Sequence, residues 1–579
     1  MNQTVSRAAA PAAIGVYFLA WASVGVRMGF SYDDVTNLYF AWVRPLWQLF
    51  LNIITVWNPQ PRPVGGLLYR AVYAAGGFHP LPFHLTCLAL LLLNFLLLYL
   101  LLLRLAGMAG VAWVALLFGC FHGQMWSIYT DTGVVFDILC ATFYYTAFLL
   151  YTEARRFGVL CGMAMLVCTL LALGSKETAL SLPAVLLAYE ILFHPPKARR
   201  DVGAWAVAKV ATIGPSVLVC LAFIVGRLTI SGPLTGHPAY TPVFTVQRFL
   251  ETTMAYTRIL FDDSVSFTPL TAILFWAGCV VLGALARSRL MVFGIVAFAL
   301  GMLPMSFMTP RQAGYVFYVP MFGLALYVGA AFALIRDRIS ESFRWRNAAS
   351  CWTAVFVCLV VWTHYSEGAR PIRNGAGPGG QGAIQLTADW LPRLCPRLAP
   401  GSRVLLVDSP FGDETWVPGF TLGLLYHCKD LRVVNARAPQ NSASLAGPFD
   451  YTFVYKDREV VKLTVKHEQT SSPPSAPTRV RIVNLTTPGA TDFHVGETFR
   501  LTVMGASGEP VTLMARQNSL PLSDSTYGPT SPNGSLELTG RMASEHIGKW
   551  QEQWRVGQAA AATIAFEVKS GARPRVTGR

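Results

Sequence analysis

Two adjacent carboxylates, Asp33 and Asp34, follow the first long apolar run of the chain, in Phe30-Ser31-Tyr32-Asp33-Asp34. A carboxylate within reach of a hydroxyl can take its proton as a general base, and a neighbour can serve a metal or a hydrogen-bond donor. The same pair could equally be two solvated acids at a helix end. Lys176-Glu177 lies between two apolar runs, in Gly174-Ser175-Lys176-Glu177-Thr178, where a tight turn by itself needs polar residues. Arg62, followed by Pro63, and Arg311, in Thr309-Pro310-Arg311-Gln312-Ala313-Gly314-Tyr315, carry planar guanidinium forks that suit phosphate oxygens or lipid headgroups. His122, after Phe121, reads on its own as an interfacial histidine.

The elements that must position these residues are apolar. Of 579 residues, 53% are hydrophobic and 13% charged, where a soluble protein of this length carries about a quarter charged residues. The deficit falls in the first two thirds, and the last third has ordinary soluble composition. Crossing about 30 Å of hydrocarbon takes roughly 20 apolar residues in a helix. About eleven such runs occur, near 11–29, 83–103, 106–121, 133–151, 158–174, 178–193, 204–226, 268–286, 290–308, 316–335 and 348–365. The first begins like a signal peptide, with Arg7 ahead of it, and is taken as an uncleaved helix because further spans follow.

The formal charge of +15 is a matter of topology and not of nucleic-acid binding. Arg104, Arg155-Arg156, Lys197 with Arg199-Arg200, Arg287 with Arg289, and the group Arg336, Arg338, Arg344 and Arg346 all fall in alternate loops, as cytoplasmic loops do. This places the N-terminus inside and the chain from about 366 onward outside, in a multi-pass protein of a bacterial inner or plasma membrane. The opposite loops then hold Asp33-Asp34, Arg62, His122, Asp131, Lys176-Glu177, His237, Asp262-Asp263 and Arg311. The first of them is long and largely apolar from Leu38 to Trp57, as expected of a segment packed over a site.

Beyond a Gly-rich hinge around Asn374–Gly380, residues 384–466 alternate between a helical stretch (Leu386–Leu398) and strand-like runs (Arg403–Val407, Leu431–Val434), which predicts a small α/β module. A second linker, Ser471–Pro477, precedes short alternating segments over 479–571: Val480–Ile482, Phe499–Val503, Val511–Leu513, Ser535–Leu538 and Thr563–Val568. They predict an Ig-like β-sandwich that binds or spaces. Nine of the eleven cysteines lie in or beside apolar runs; Cys395 and Cys428, in the tail, could pair or remain thiols. The fold class is therefore a mainly α polytopic membrane domain over 1–366, followed by these two extracytoplasmic modules.

Order and spacing of the polar residues carry a resemblance. Asp33-Asp34, Asn58-Pro59 with Arg62-Pro63, His84-Leu85 leading to Asn94, Phe121-His122 with Asp137, Gly174–Thr178 running to Pro183 and Tyr189-Glu190, and Arg311 leading to Tyr315–Pro320 occur in series. From about residue 28 to 335 the chain resembles the transmembrane mannosyltransferases of the protein O-mannosyltransferase type and their TPR-containing relatives, within the GT-C superfamily. It departs from them in lacking TPR repeats and in carrying Gly123 where the family has Pro; Asp131 would stand for the acid found shortly beyond.

The resemblance implies transfer of a sugar from a polyprenyl-phosphate donor to an extracytoplasmic acceptor (protein, lipid or glycan) by direct displacement. Asp34 or Asp33 would be the base, and Arg62, Lys176 and Arg311 would meet the lipid phosphate. Glu177 and His122 would orient these groups, with Asp131 and Tyr315 at the substrate. A divalent Mg or Mn ion at the paired acids is an option that the sequence does not demand. A transporter or flippase of a lipid-linked saccharide is the alternative; it would typically show internal repeats or broken helices at mid-membrane, whereas no convincing repeat is found and the charges cluster at one membrane surface.

Overall fold

The computed structural model describes residues 3–57, 62–122, 125–229, 242–261, 264–310, 314–342, 347–368, 379–438, 449–456, 459–463, 478–518, 520–521, 525–531, 533–557, 559 and 561–571. Asn58-Pro59, Gly123, His237, Asp262-Asp263, Arg311, Arg344, Arg346, most of the Gly-rich hinge and the Ser471–Pro477 linker fall outside them. The chain divides into two compact units, Met1–Gln385 and Leu386–Arg579.

Each apolar run of the first unit forms a helix: α1 Gln3–Ala22, then α5 Pro80–Ala106, α6 Ala109–Cys120, α8 Val135–Phe157, α9 Val159–Leu173, α10 Leu182–Phe193, α11 Val202–Thr229, α13 Pro269–Leu285, α14 Arg289–Met302, α15 Met321–Ser342 and α16 Ala348–Thr363. The segment read as one long packed loop is helical too, as α2 Tyr32–Val43, α3 Leu46–Ile54 and α4 Pro63–Gly76. Two further helices, α7 Trp126–Thr130 and α12 Val246–Leu260, lie in other connections.

By length and hydropathy, five helical segments among the described residues can cross a membrane: Ala9–Arg27, Pro80–Ala106, Thr132–Glu153, Arg199–Thr229 and Ala348–Ser366. Four more, at Ala109–Cys120, Val159–Leu173, Pro269–Leu285 and Arg289–Met305, are apolar but only 10–17 residues long. Five of the eleven expected crossings are thus long enough by themselves among the described residues. Gly107 (φ 66°) ends α5 in the left-handed region, and Gly158 (φ 63°) separates α8 from α9.

One helix is central. The span on α8 is 72% buried, against 11–28% for the other four, whose remaining surface is available to lipid. Helices α14 and α15 touch backbone to backbone, since a Cβ at Gly294 would stand 2.5 Å from the Gly323 carbonyl oxygen and the converse also holds. Any side chain there would force the pair apart.

Helix α17 (Gln381–Leu394) begins in the last residues of the first unit and is followed in the second by a four-stranded sheet. Strands β1 Arg403–Val407, β2 Arg432–Asn435 and β3 Tyr451–Lys456 are parallel in the order β2-β1-β3, β4 Glu459–Leu463 is antiparallel at the edge, and α18 is Val417–Leu425. The strand-rich remainder comprises β5 Arg479–Asn484, β6 Phe493–His494, β7 Thr498–Met504, β8 Pro510–Gln517, β9 Leu520–Pro521, β10 Ser525–Pro529, β11 Ser535–Arg541, β12 Gly548–Val556 and β13 Ala562–Lys569. Sheets β11-β7-β5 and β10-β8-β12-β13-β6 share a core of Leu501, Val503, Val511, Leu513, Trp554 and Val556. Cys395 and Cys428 are free thiols.

Candidate functional site

The acids at the start of α2 take opposite orientations, and local sequence dictates which goes where. Ser31 is the N-cap and Asp34 the third helical residue, so Ser31-Tyr32-Asp33-Asp34 forms a capping box: the Ser31 hydroxyl accepts from the Asp34 amide, and Asp34 Oδ2 accepts from the Ser31 amide at 2.8 Å. Asp34 is fully buried. Its Oδ1 accepts from Tyr69 Oη of α4 at 3.0 Å and from Thr132 Oγ1 at 2.6 Å. Ser31 Oγ stands 3.0 Å from Asp34 Oδ2 and 3.1 Å from Asp131 Oδ1, with one proton for the two. Asp131 also accepts from the Gly133 amide at 2.9 Å.

Burial, with the charge of Asp131, pushes the Asp34 carboxyl up to about 7, against the pull of the Thr132, Ser31 and Tyr69 donors. Burial likewise raises the Asp131 carboxyl, opposed by the Gly133 amide and the Ser31 hydroxyl and assisted by the charge of Asp33. Asp33 itself is exposed, one residue round the helix, beside Gly133, where a Cβ would come within 3.3 Å of the Asp33 Cβ. The donors from Ser31, Tyr69 and Thr132 are gathered on both oxygens of Asp34, the buried member of the pair. Among the described residues no group of three or more His, Cys, Asp or Glu side chains is placed to hold a metal ion.

The basic residues gather at the start of α4. Arg62 caps this helix in the left-handed region (φ 51°), which costs a non-glycine residue roughly 1–2 kcal/mol, and Pro63 at the first turn has no amide to leave unpaired. The Val64 amide donates to the Gly174 carbonyl at 3.1 Å, which fastens the helix start to the Gly174–Thr178 turn. Arg62 Nη2 then lies 3.9 Å from Glu177, and Arg227 Nη2, from the end of α11, lies 3.6 Å from it. Both separations exceed the roughly 2.7–2.9 Å of a bonded charge pair, so neither guanidinium is spent on the carboxylate. Burial pushes the Glu177 carboxyl up, but Arg62 and Arg227 overrule it and leave the group below its usual range. These side chains open onto a narrow pocket lined also by Asn52, Ile53, Val56, Pro63, Gly174 and Phe223.

Lys176 points elsewhere. Its ammonium is buried against the Asp137 carboxylate on α8 and stands 4.5 Å from the centre of the Tyr315 ring. The structure therefore brings Arg62 and Glu177 to the pocket and joins Lys176 with Tyr315 behind it. Phe136 links the pocket to the acidic nest: Arg62 lies over its ring at 5.1 Å, and the ring of Tyr69, which bonds Asp34, stands 5.8 Å from it. Gly65 permits this approach, since a Cβ there would fall 2.3 Å from the Phe136 ring. With a rise of about 1.5 Å per residue, the seven residues from Arg62 to Tyr69 set the acidic nest about 10 Å from the pocket.

His122 sits just past the end of α6, edge-on to Phe118 at 5.6 Å. Sequence reasoning missed Arg227, Asn52, Tyr69 and Thr132. The signal for Arg227 was available, an Arg at the outer end of the run 204–226. For Asp34 it was the Ser-x-x-Asp spacing, a helix-start signature.

No family model and no curated protein sequence matches the chain. In three dimensions it aligns with ArnT from Cupriavidus metallidurans bound to undecaprenyl phosphate (14% identity, TM-score 0.45, 78% of this chain and 96% of that one) and with its apo state (13%, 0.42, 77% and 92%). It also aligns with arabinosyltransferase EmbB from Mycobacterium smegmatis at 14% identity and TM-score 0.35, over 98% of this chain and 62% of that one. Likenesses this slight carry no inference about the site, which stands on its own geometry.

Proposed function

We propose that the chain is a membrane glycosyltransferase of GT-C type that moves a sugar from a polyprenyl-phosphate carrier onto an extracytoplasmic hydroxyl. The observation that supports this best is that Asp33, an exposed carboxylate, sits beside the Asp34 that Tyr69 of α4 holds, while Arg62 at the start of the same helix stands with Arg227 loosely paired about Glu177. Asp33 is the base: it is exposed, whereas Asp34 is walled in and serves as the anchor that fixes the start of α2 to the loop at Asp131–Gly133. The acceptor oxygen attacks the anomeric carbon, its proton passes to Asp33, and the carbon–oxygen bond to phosphate breaks. The phosphate leaves with the electron pair, still on its lipid, and its growing charge is met by Arg62 and Arg227. Single displacement inverts the anomeric configuration. The sugar, and with it a mannosyl specificity, is open to test.

The site then faces out of the cytoplasm, as the distribution of basic loops requires. Alkaline phosphatase fused after Gly377 is expected to be active; activity only from a cytoplasmic reporter there would reverse the assignment. The reaction is checked with the purified chain in detergent, a panel of synthetic prenyl-phosphoryl sugars and glycosides as acceptors. Release of prenyl phosphate coupled to acceptor glycosylation is the expected result. Absence of transfer from every donor in the panel would sink the reading.

A further inference from the structure

Helix α3 presents two opposite faces. Trp47, Phe50, Leu51 and Ile54 follow the i, i+3, i+4, i+7 spacing of one stripe, and each is between 46% and 66% exposed. At 100° per residue Leu49 and Asn52 point the other way; both are buried, and Asn52 and Ile53 line the pocket that holds Arg62 and Arg227. Asn52 is 8% exposed, and its Nδ2 has no hydrogen-bond partner among the described residues. A buried donor left unmade costs about 1–3 kcal/mol, so a residue of this kind beside two guanidiniums awaits an acceptor.

We infer that Asn52 is a specificity-determining donor for a phosphate carried by a membrane lipid, and that α3 delivers this phosphate by lying in the outer membrane interface. The inference rests on the reading of the pocket as the carrier-phosphate site and adds a residue and a route to it. An apolar stripe exposed on a segment between membrane-crossing helices, with Trp47 and Trp57 as amphipathic anchors, suits the headgroup boundary and not bulk water. A phosphate at that depth passes from lipid to pocket by crossing the width of one helix, where the Asn52 amide adds a neutral, directional donor to two diffuse positive charges. Arg62 and Arg227 accept any anion; Asn52 favours one seated with an oxygen against α3, as a phosphate monoester whose alkyl arm runs out along the stripe would be.

The test uses the full chain and a long-chain prenyl phosphate as the probe, with binding measured directly in nanodiscs so that the result does not depend on transfer. Asn52→Leu removes the unpaired donor at similar volume. The expected outcome is at least tenfold weaker binding, with a melting temperature equal to or above that of the parent; a merely structural asparagine would lose stability instead. Asn52→Asp, which turns a donor toward the anion into a repelling charge, is expected to weaken binding further. The triple variant W47Q/F50Q/I54Q is expected to lose affinity for the long-chain probe while binding a short, water-soluble prenyl phosphate as the parent does. Unchanged affinity in both Asn52 variants, or an equal loss for long and short chains in the triple variant, would overturn the inference. Binding of prenyl phosphate without sugar transfer would instead leave it standing and sink the glycosyltransferase reading.

Discussion

The acidic nest and the basic pocket meet one helix, α4, at its middle and at its start, and treat charge in opposite ways. Asp34 is surrounded by short hydrogen bonds from Ser31, Tyr69 and Thr132 and has no exposure. Arg62, Arg227 and Glu177 are each about a third exposed and meet at separations too long for tight pairing. A carboxylate whose donors are complete is architecture. Guanidiniums held near a single carboxylate remain open to another anion. The same contrast recurs between neighbours in the chain: Lys176 is buried in an ion pair while Glu177, the next residue, lines the pocket.

The largest effect should come from breaking that contrast at the acids. Asp33→Asn is expected to lower turnover by roughly 10²–10⁴-fold without changing the melting temperature, whereas Asp34→Asn should reduce activity mainly through altered loop order. Equal losses of turnover, with both variants folded, would place both carboxylates in the chemistry. Next is the buried pair. Lys176→Met alone or Asp137→Leu alone leaves an unpaired charge and should cost about 3–5 kcal/mol, while the double variant should recover much of it; denaturation of the three variants in one detergent gives the comparison.

In the open pocket, Arg62→Ala and Arg227→Ala should each raise KM for the donor about tenfold or more, the worth of one charge-assisted contact, with little change in folding. A large loss of stability instead would make the pocket structural. The last effect is on pH dependence. Because the Asp34 carboxyl is raised from 3.8 to about 7 in the fold, its contribution to stability is complete below about pH 4 and is lost as the pH climbs to about 7. Asp34→Asn should flatten that part of the curve of melting temperature against pH, and a slope unchanged by the substitution would assign it to other groups.

Much of the architecture could be read directly. Every apolar run became a helix, because a stretch with few charges in a chain this apolar has little option but to satisfy its backbone internally. Strand positions in the tail also followed from alternation, as at Phe499–Val503 and Val511–Leu513, while β12 escaped it even though Trp550, Trp554 and Val556 turn toward the core side and Gln551, Gln553 and Arg555 toward solvent. The segment from Leu38 to Trp57 was recognised as packed and apolar but not as helical, since its pattern is divided between α2 and α3 by Arg44-Pro45.

What the sequence by itself determined was which residues could act: the paired acids, the Arg before Pro63, the Lys-Glu turn, and the membrane in which they are held. It also held, in the Ser31-to-Asp34 spacing, the reason one acid turns inward, because capping is a local interaction between residues three apart. Only the tertiary structure decided how charges distant in sequence divide among themselves. Asp137 lies 39 residues from Lys176, and Arg227 comes 50 residues after Glu177; no periodicity links them. Their pairing follows from helices α4, α8 and α11 converging on one turn, and burial there makes an unpaired Lys176 too costly to leave. That closure frees Glu177 to face two arginines, and so it was packing, more than composition, that separated the residues holding the site together from those open to a substrate.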